Sequence, residues 1–303
     1  MRIILIGGSG FIGRHFAERA IQAGHEVTIV SRWSEHRPAG AAQWLGGGME
    51  RLIQDHGLLR DVDIVCQFAS VSTPASSAGD PLGDVNGNLV PNIRLFEAMR
   101  AADVRRIVYL SSGGAVYGVP HYSPMDEQHP QWPISSYGIV KGSIERYLGL
   151  YEQLHRFRPL IVRPANPYGP RQSESNFLGF ITTMLKLAAD DREATVFGDG
   201  SIVRDFVYID DLCDLLLRGI EAEATGIYNC GSGSGASLMQ MLGAIEAIIG
   251  RPVRRRHESA RAFDPPAIVL DIAKAARDLG WTPQVSLEEG IARCWKLMQG
   301  GAA

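Results

Sequence analysis

The chain has 303 residues, of which 45% are hydrophobic and 21% charged, with a net charge of −3. That is enough for one large domain or two modest ones, and it leaves no basic surface to attract nucleic acid or an acidic membrane. The four widely spaced cysteines, Cys66, Cys213, Cys230 and Cys294, read as free thiols of a reducing compartment and argue against a metal site.

"RIILI" (2–6) reads as a buried strand and "FIGRHFAERAIQAG" (11–24) as a helix closed by Gly24. Strands follow at 26–30, 63–69, 105–110 and 158–164, with helices near 85–102 and 135–154. The run "AGAAQWLGGG" carries only a weak strand signal. Alternating strands and helices imply parallel pairing with right-handed crossovers, hence an α/β Rossmann-type, doubly wound parallel sheet. After Pro164 the pattern loosens. "FLGFITTMLKLAA" is helical, a Gly-Asp-Gly turn joins two short strands, and helices follow near 236–249, 271–279 and 286–299. The expected division is residues 1–164 plus about 205–230 as a dinucleotide-binding domain. About 165–204 plus 231–303 form a smaller α/β substrate-binding lobe. No signal run precedes "MRIILIGGSG" and no stretch of about 18 apolar residues suggests a membrane span, so a cytoplasmic protein is expected.

Gly7, Gly10 and Gly13 lie between the first strand and the first helix at G-x-x-G-x-x-G spacing. Glycine there permits a tight turn and close backbone approach to a pyrophosphate, while a helix opening at Phe11 and Ile12 offers free N–H groups. With Ala69 at the end of the 63–69 strand, these are the cofactor-binding candidates. The second strand ends in Ser31 and Arg32 where an NAD site usually carries an acid, so NADP is favoured over NAD. The plainer alternatives are that Arg32 is a solvated loop arginine and that Glu35 reaches back.

"SSYGIVK" places Tyr137 and Lys141 four apart, on one helix face. An ammonium beside a phenol lowers its pKa, which would let Tyr137 act as base or acid near neutrality. Only four of the 30 basic residues are lysine, which makes one at this spacing more telling.

The motifs "GGSGFIG", "YLSSGGAVYG", "SSYGIVK", "VRPANPYGP", "GDGSIVRDFVYIDDL" and "LDIAKAARDLGWTP" together resemble the extended short-chain dehydrogenases/reductases that act on nucleotide sugars. Within that NAD-dependent epimerase/dehydratase family the pattern is similar to UDP-glucose 4-epimerase and its relatives. The resemblance implies that Tyr137 is the acid/base and that Lys141 is its partner and a cofactor ligand. It places Asn166 on the nucleotide-sugar, Arg204 and Arg261 on the diphosphate, and Asp264 near the nucleotide ribose. It also implies a homodimer through the helices near 85–102 and 135–154.

Gly113, Gly114 and Ala115 stand where dehydratases of this fold carry Asp-Glu, decarboxylases a Glu, and the fucose-synthase type a Cys. Hydride transfer at one sugar carbon remains. The 4-epimerase pattern has a Ser or Thr at the position of Gly113, so Ser112, Ser111 or a water must polarise the reacting oxygen. The expected activity is a nucleotide-hexose 4-epimerase. The alternatives are an NADPH-dependent 4-keto-sugar reductase, which Arg32 favours, and a binding protein with little catalysis. Asp210 and Asp211 are expected to cap the helix that follows.

Overall fold

A computed structural model describes residues 1–32, 39–172, 179–260 and 265–300. The first half runs β1 (Arg2–Ile6), α1 (Phe11–Gln22), β2 (Glu26–Val30), β3 (Gln43–Leu45), α2 (Met49–Gln54), β4 (Ile64–Gln67), α3 (Pro74–Gly79), α4 (Pro81–Asp84), α5 (Val90–Ala101), β5 (Arg106–Leu110), α6 (Gly113–Val116), α7 (Ser136–His155) and β6 (Arg158–Pro164). The remainder is β7 (Asn166–Tyr168), α8 (Phe180–Ala189), β8 (Ala194–Phe197), β9 (Val203–Arg204), β10 (Phe206–Tyr208), α9 (Ile209–Glu221), β11 (Gly226–Cys230), β12 (Ala236–Ser237), α10 (Leu238–Ile249), β13 (Arg255–Glu258), β14 (Ala267–Ile268), α11 (Ala273–Leu279) and α12 (Leu287–Gly300). None of the described helices is long and apolar enough to cross a membrane.

Seven strands form one sheet in the order β11-β6-β5-β4-β1-β2-β3. The pairs from β6 through to β3 are parallel. The apolar runs of β1, β4 and β5 are buried on both faces, as expected where helices cover a parallel sheet. The order reverses between β1 and β4. In doubly wound sheets the crevice beyond the strand ends at such a point is where ligands bind. The weak strand signal near "QWL" is realised as β3, at the edge.

The chain divides into two compact units. The first is Met1–Val119, Pro130–Arg163 and Cys213–Tyr228. The second is Pro120–His129, Pro164–Leu212 and Asn229–Ala303. The short segment 120–129 belongs to the second because Met125 bonds Val269 and Asp271 through the backbone, and its carbonyl accepts from Asn229 Nδ2. The two strands expected around the Gly-Asp-Gly turn do not pair with each other. β8 pairs with β13, β9 with β12 and β14, and β10 with β7. Local sequence marks strands, but the partners come from distant segments.

Candidate active site

The glycine loop follows β1 and turns into α1. Gly7 has φ +85°, where a side chain is strained, and a Cβ there would meet Ala69 N at 2.9 Å. A Cβ on Gly13 would meet Gly7 O at 2.2 Å, so only glycine lets the helix close onto the loop. Gly10 is the N-cap of α1 and offers no side-chain cap, and the first turn holds no acid. The amides of Phe11 and Ile12 therefore open a helix N-terminus suited to a pyrophosphate. The cradle fits a dinucleotide, and Ala69 stands against its tightest point.

At the end of β2, Ser31 is buried and its hydroxyl accepts from Ser9 Oγ at 2.8 Å and Trp44 Nε1 at 3.5 Å. Arg32 is exposed, with its aliphatic stem near Gly48. Glu35 lies outside the described residues.

Tyr137 and Lys141 occupy the first turns of α7, whose N-cap Ser135 accepts from Gly138 N. Lys141 Nζ donates to Leu110 O at 2.7 Å and lies 4.9 Å from the Tyr109 ring centre and 5.7 Å from that of Tyr137. Burial pushes the Lys141 ammonium down to about 8, against the opposing charges of Glu145 and Asp84. Burial pushes the Tyr137 phenol up to about 12; a hydrogen bond with Ser112 works the other way, and Asp84 adds to the rise. The expected depression of the Tyr137 pKa by Lys141 is therefore not found. Desolvation outweighs a cation that is spent on a backbone carbonyl.

The two serines of "SSGGAVYG" part company. Ser112 hydrogen-bonds Tyr137. Ser111 is buried and donates to Glu145 Oε1 at 2.5 Å. Of the two hydroxyls, Ser112 is the one placed at the acid/base candidate, and Ser111 is engaged behind it.

Glu145 is the centre of a buried network that the motifs did not single out. It forms a two-pronged ion pair with Arg163, Nε to Oε1 at 3.0 Å and Nη2 to Oε2 at 2.6 Å, and both side chains are at most 3% exposed. Arg163 Nη1 also donates to Tyr117 Oη at 2.8 Å, and Gln131 Nε2 donates to Glu145. Burial alone would lower the Arg163 pKa, but the carboxylate more than offsets it. Ser111 and Tyr117 bracket the Gly-rich loop, so both its ends are tied to one ion pair. The available sequence signal was the position of Glu145, one helical turn after Lys141, and of Arg163 at the head of "RPANPYGP".

The second unit carries the other candidates. Asn166 donates from Nδ2 to Asp205 O at 2.7 Å. Arg204 Nη1 donates to the carbonyls of Val203 and Pro265, both at 2.8 Å. Asp205 is fully buried and accepts from Ser232 N and Oγ and from Leu270 N. Burial pushes its pKa up to about 6 despite these bonds. Asn166, Tyr168, Gln172, Phe180 and Phe206 help line a cavity of about 220 Å³, in which the Phe180 and Phe206 rings stack. Arg261 and Asp264 lie outside the described residues. The Asp211 carboxylate accepts from Gln284 N and Val285 N and fastens the C-terminal tail.

Residues 3–231 match the NAD dependent epimerase/dehydratase family. The chain belongs to that family. It is 33% identical to the UDP-glucose 4-epimerase of Mycolicibacterium smegmatis over 303 residues, covering 97% of each chain. Among solved structures of the family, the Thermotoga maritima UDP-glucose 4-epimerase with UDP-glucose is 30% identical, with TM-score 0.92 and complete coverage of both chains. The Thermus thermophilus UDP-glucose 4-epimerase in complex with NAD is 28% identical, with TM-score 0.90 and 99% coverage of each chain.

The expected preference for NADP is corrected by these relatives, since the family is NAD dependent and the Thermus structure holds NAD. The lack of an acid at Ser31 removes a repulsion but builds no phosphate site, and Arg32 is the solvated arginine of the plainer reading.

Proposed function

We propose that this family member is an NAD-dependent UDP-hexose 4-epimerase, with UDP-glucose as the reference substrate. The observation that carries the reading is the cluster of Ser112, Tyr137 and Lys141 in the same unit as the glycine cradle. The end-to-end similarity to UDP-glucose 4-epimerases supports the substrate class. The first unit is the dinucleotide-binding part in this reading. Gly7, Gly10, Phe11, Ile12, Gly13, Ala69 and Lys141 would hold the cofactor. A bound NAD supplies a reversible acceptor for the C4 hydride. Tyr137 takes the C4 hydroxyl proton on its Oη as the ketone forms and returns it on reduction from the other face. Ser112 donates to the reacting oxygen, and Lys141 places positive charge beside the phenolate. In the second unit, Asn166 and Arg204 contact the nucleotide-sugar, and the stacked Phe180 and Phe206 offer flat apolar surface to a base. Arg261 and Asp264 complete this set in the reading taken from the resemblance.

The test is incubation with NAD and UDP-glucose, following the sugar by NMR. UDP-galactose is expected, with no net change in nicotinamide absorbance. Consumption of one reduced cofactor per product would mean a reductase, and binding without turnover would end the enzymatic reading.

We further infer a cytoplasmic homodimer. The four cysteines are buried and outside any disulfide among the described residues, which suits a reducing compartment. Ile139, Tyr147, Leu150 and Leu154 are exposed along one stripe of α7, with Val90 exposed on α5. An apolar stripe on a surface helix marks a surface that is normally covered. Light scattering should give twice the chain mass for the parent and a monomer for a Leu150→Glu, Leu154→Glu double variant. A monomeric parent would refute the dimer.

A further inference from the structure

Asp84 ends α4 and is 2% exposed. Its Oδ1 accepts from Ser72 Oγ at 2.7 Å and Asn88 Nδ2 at 2.9 Å, and its Oδ2 accepts from Ser136 Oγ at 2.8 Å. These partners sit on three different elements. Ser72 is in the segment after β4, Asn88 is in the π-helical turn Val85–Leu89, and Ser136 opens α7 immediately before Tyr137. The same turn of α7 is held a second time, by Tyr137 N donating to Ser77 Oγ at 3.1 Å. Ser72, Asn88 and Ser136 are all neutral, so none of these partners neutralises the carboxylate. A buried carboxylate satisfied by neutral donors keeps its charge available to act over longer range.

What that charge faces is the acid/base pair. Asp84, Tyr137, Lys141, Tyr109, Asn88 and Asn92 line one small cavity. Charged and titratable groups reach Lys141 from several elements. Asp84 comes from α4, and Tyr137 and Glu145 from α7 itself. Tyr109 comes from β5, with its hydroxyl buried and unbonded. Arg163, from β6, is already committed to Glu145. Asn88 and Asn92 contribute neutral amides. Glu145, the larger of the two negative charges acting on Lys141, is also paired with Arg163, whereas Asp84 has no cationic partner in this set.

We propose that Asp84 is a positioning residue for proton transfer, anchoring the first turn of α7 and supplying, together with Glu145, the negative charge that keeps the Lys141 ammonium beside Tyr137. The proposal rests on the roles assigned above to Tyr137 and Lys141. It deepens them, because it names what holds a buried cation in place against desolvation. The electrostatic directions agree: Asp84 acts to raise the pKa of both Lys141 and Tyr137.

The chain has four lysines, Lys141, Lys186, Lys274 and Lys296, so each can be followed by NMR of lysine labelled with carbon-13 at Cε. The Lys141 signal is the one lost in Lys141→Met. In the parent chain it should titrate at about 8. In Asp84→Asn, and in Asp84→Ser, the midpoint should fall by about one pH unit, the scale expected for loss of a nearby opposite charge. At pH 8 the protonated fraction then drops from about a half to about a tenth. In the same variants kcat for UDP-glucose should fall about tenfold, with KM within about twofold. A midpoint equal to the parent's in either folded variant overturns the proposal. So does failure of both variants to fold, which would make Asp84 purely structural. A parent that never turns over UDP-glucose, yet shows the shifted midpoint in the variants, refutes the epimerase reading and leaves the charge coupling standing.

Discussion

Tyr137→Phe is expected to lower UDP-glucose epimerisation by about 10³-fold while leaving the thermal melt and NAD affinity close to the parent's. The ring stays, so packing against Lys141 and the rest of the cavity is kept, and only the Oη proton carrier is lost. General acid–base groups contribute roughly 10²–10⁴-fold, which sets the magnitude. The phenol lies up near about 12 in the ligand-free chain because burial dominates. As a base it must lose its proton, so turnover should rise with pH until Lys141, near about 8, loses its charge. Steady-state rates across pH 6 to 9, as a rough range, would check both the size and the slope. Parent-like rates in Tyr137→Phe would remove Tyr137 from the mechanism. A collapsed melt would instead assign the tyrosine to packing.

Glu145→Ala is expected to cost about 3–5 kcal/mol of stability, because it leaves the Arg163 guanidinium buried without its counter-charge. The pair is two-pronged and almost fully enclosed, and it also receives Ser111 and Gln131. By contrast, truncating Glu50, which pairs with Arg94 on the surface, should cost no more than about 1 kcal/mol. Denaturant unfolding of the two variants beside the parent makes the comparison. Similar small losses for both would show that the buried pair is not the tie it is taken to be. The expected loss matters for the site as well as for the fold. Ser111 and Tyr117 lie on either side of Ser112, so a weakened ion pair loosens the loop that presents the Ser112 hydroxyl to Tyr137.

These two expectations come from different levels of the molecule, and the sequence was not equally informative about them. The strand–helix alternation of the first half is a local pattern. Apolar runs bounded by glycine and proline specify β1, β2, β5 and β6 almost to the residue. The glycine cradle is equally local, because Gly7 and Gly13 are required by contacts within one βα turn and with Ala69. The pairing of Tyr137 with Lys141 follows from helical geometry alone. The second unit was harder to read, since its short strands take partners from segments tens of residues away. The cofactor is not legible at the end of β2, because neither the missing acid at Ser31 nor the exposed Arg32 by itself builds a phosphate-binding geometry.

By itself, then, the sequence determined the α/β order of the chain, the glycine turn and the shared helix face of Tyr137 and Lys141. All are set by contacts between residues a few positions apart. Tertiary structure alone decided which serine meets Tyr137, that Glu145 and Arg163 neutralise each other in the core, that Asp84 faces the acid/base pair, and that burial raises the Tyr137 pKa. Desolvation and ion pairing depend on what the fold brings together, such as Ser136 with Asp84, 52 residues apart, and no local pattern records that distance in space.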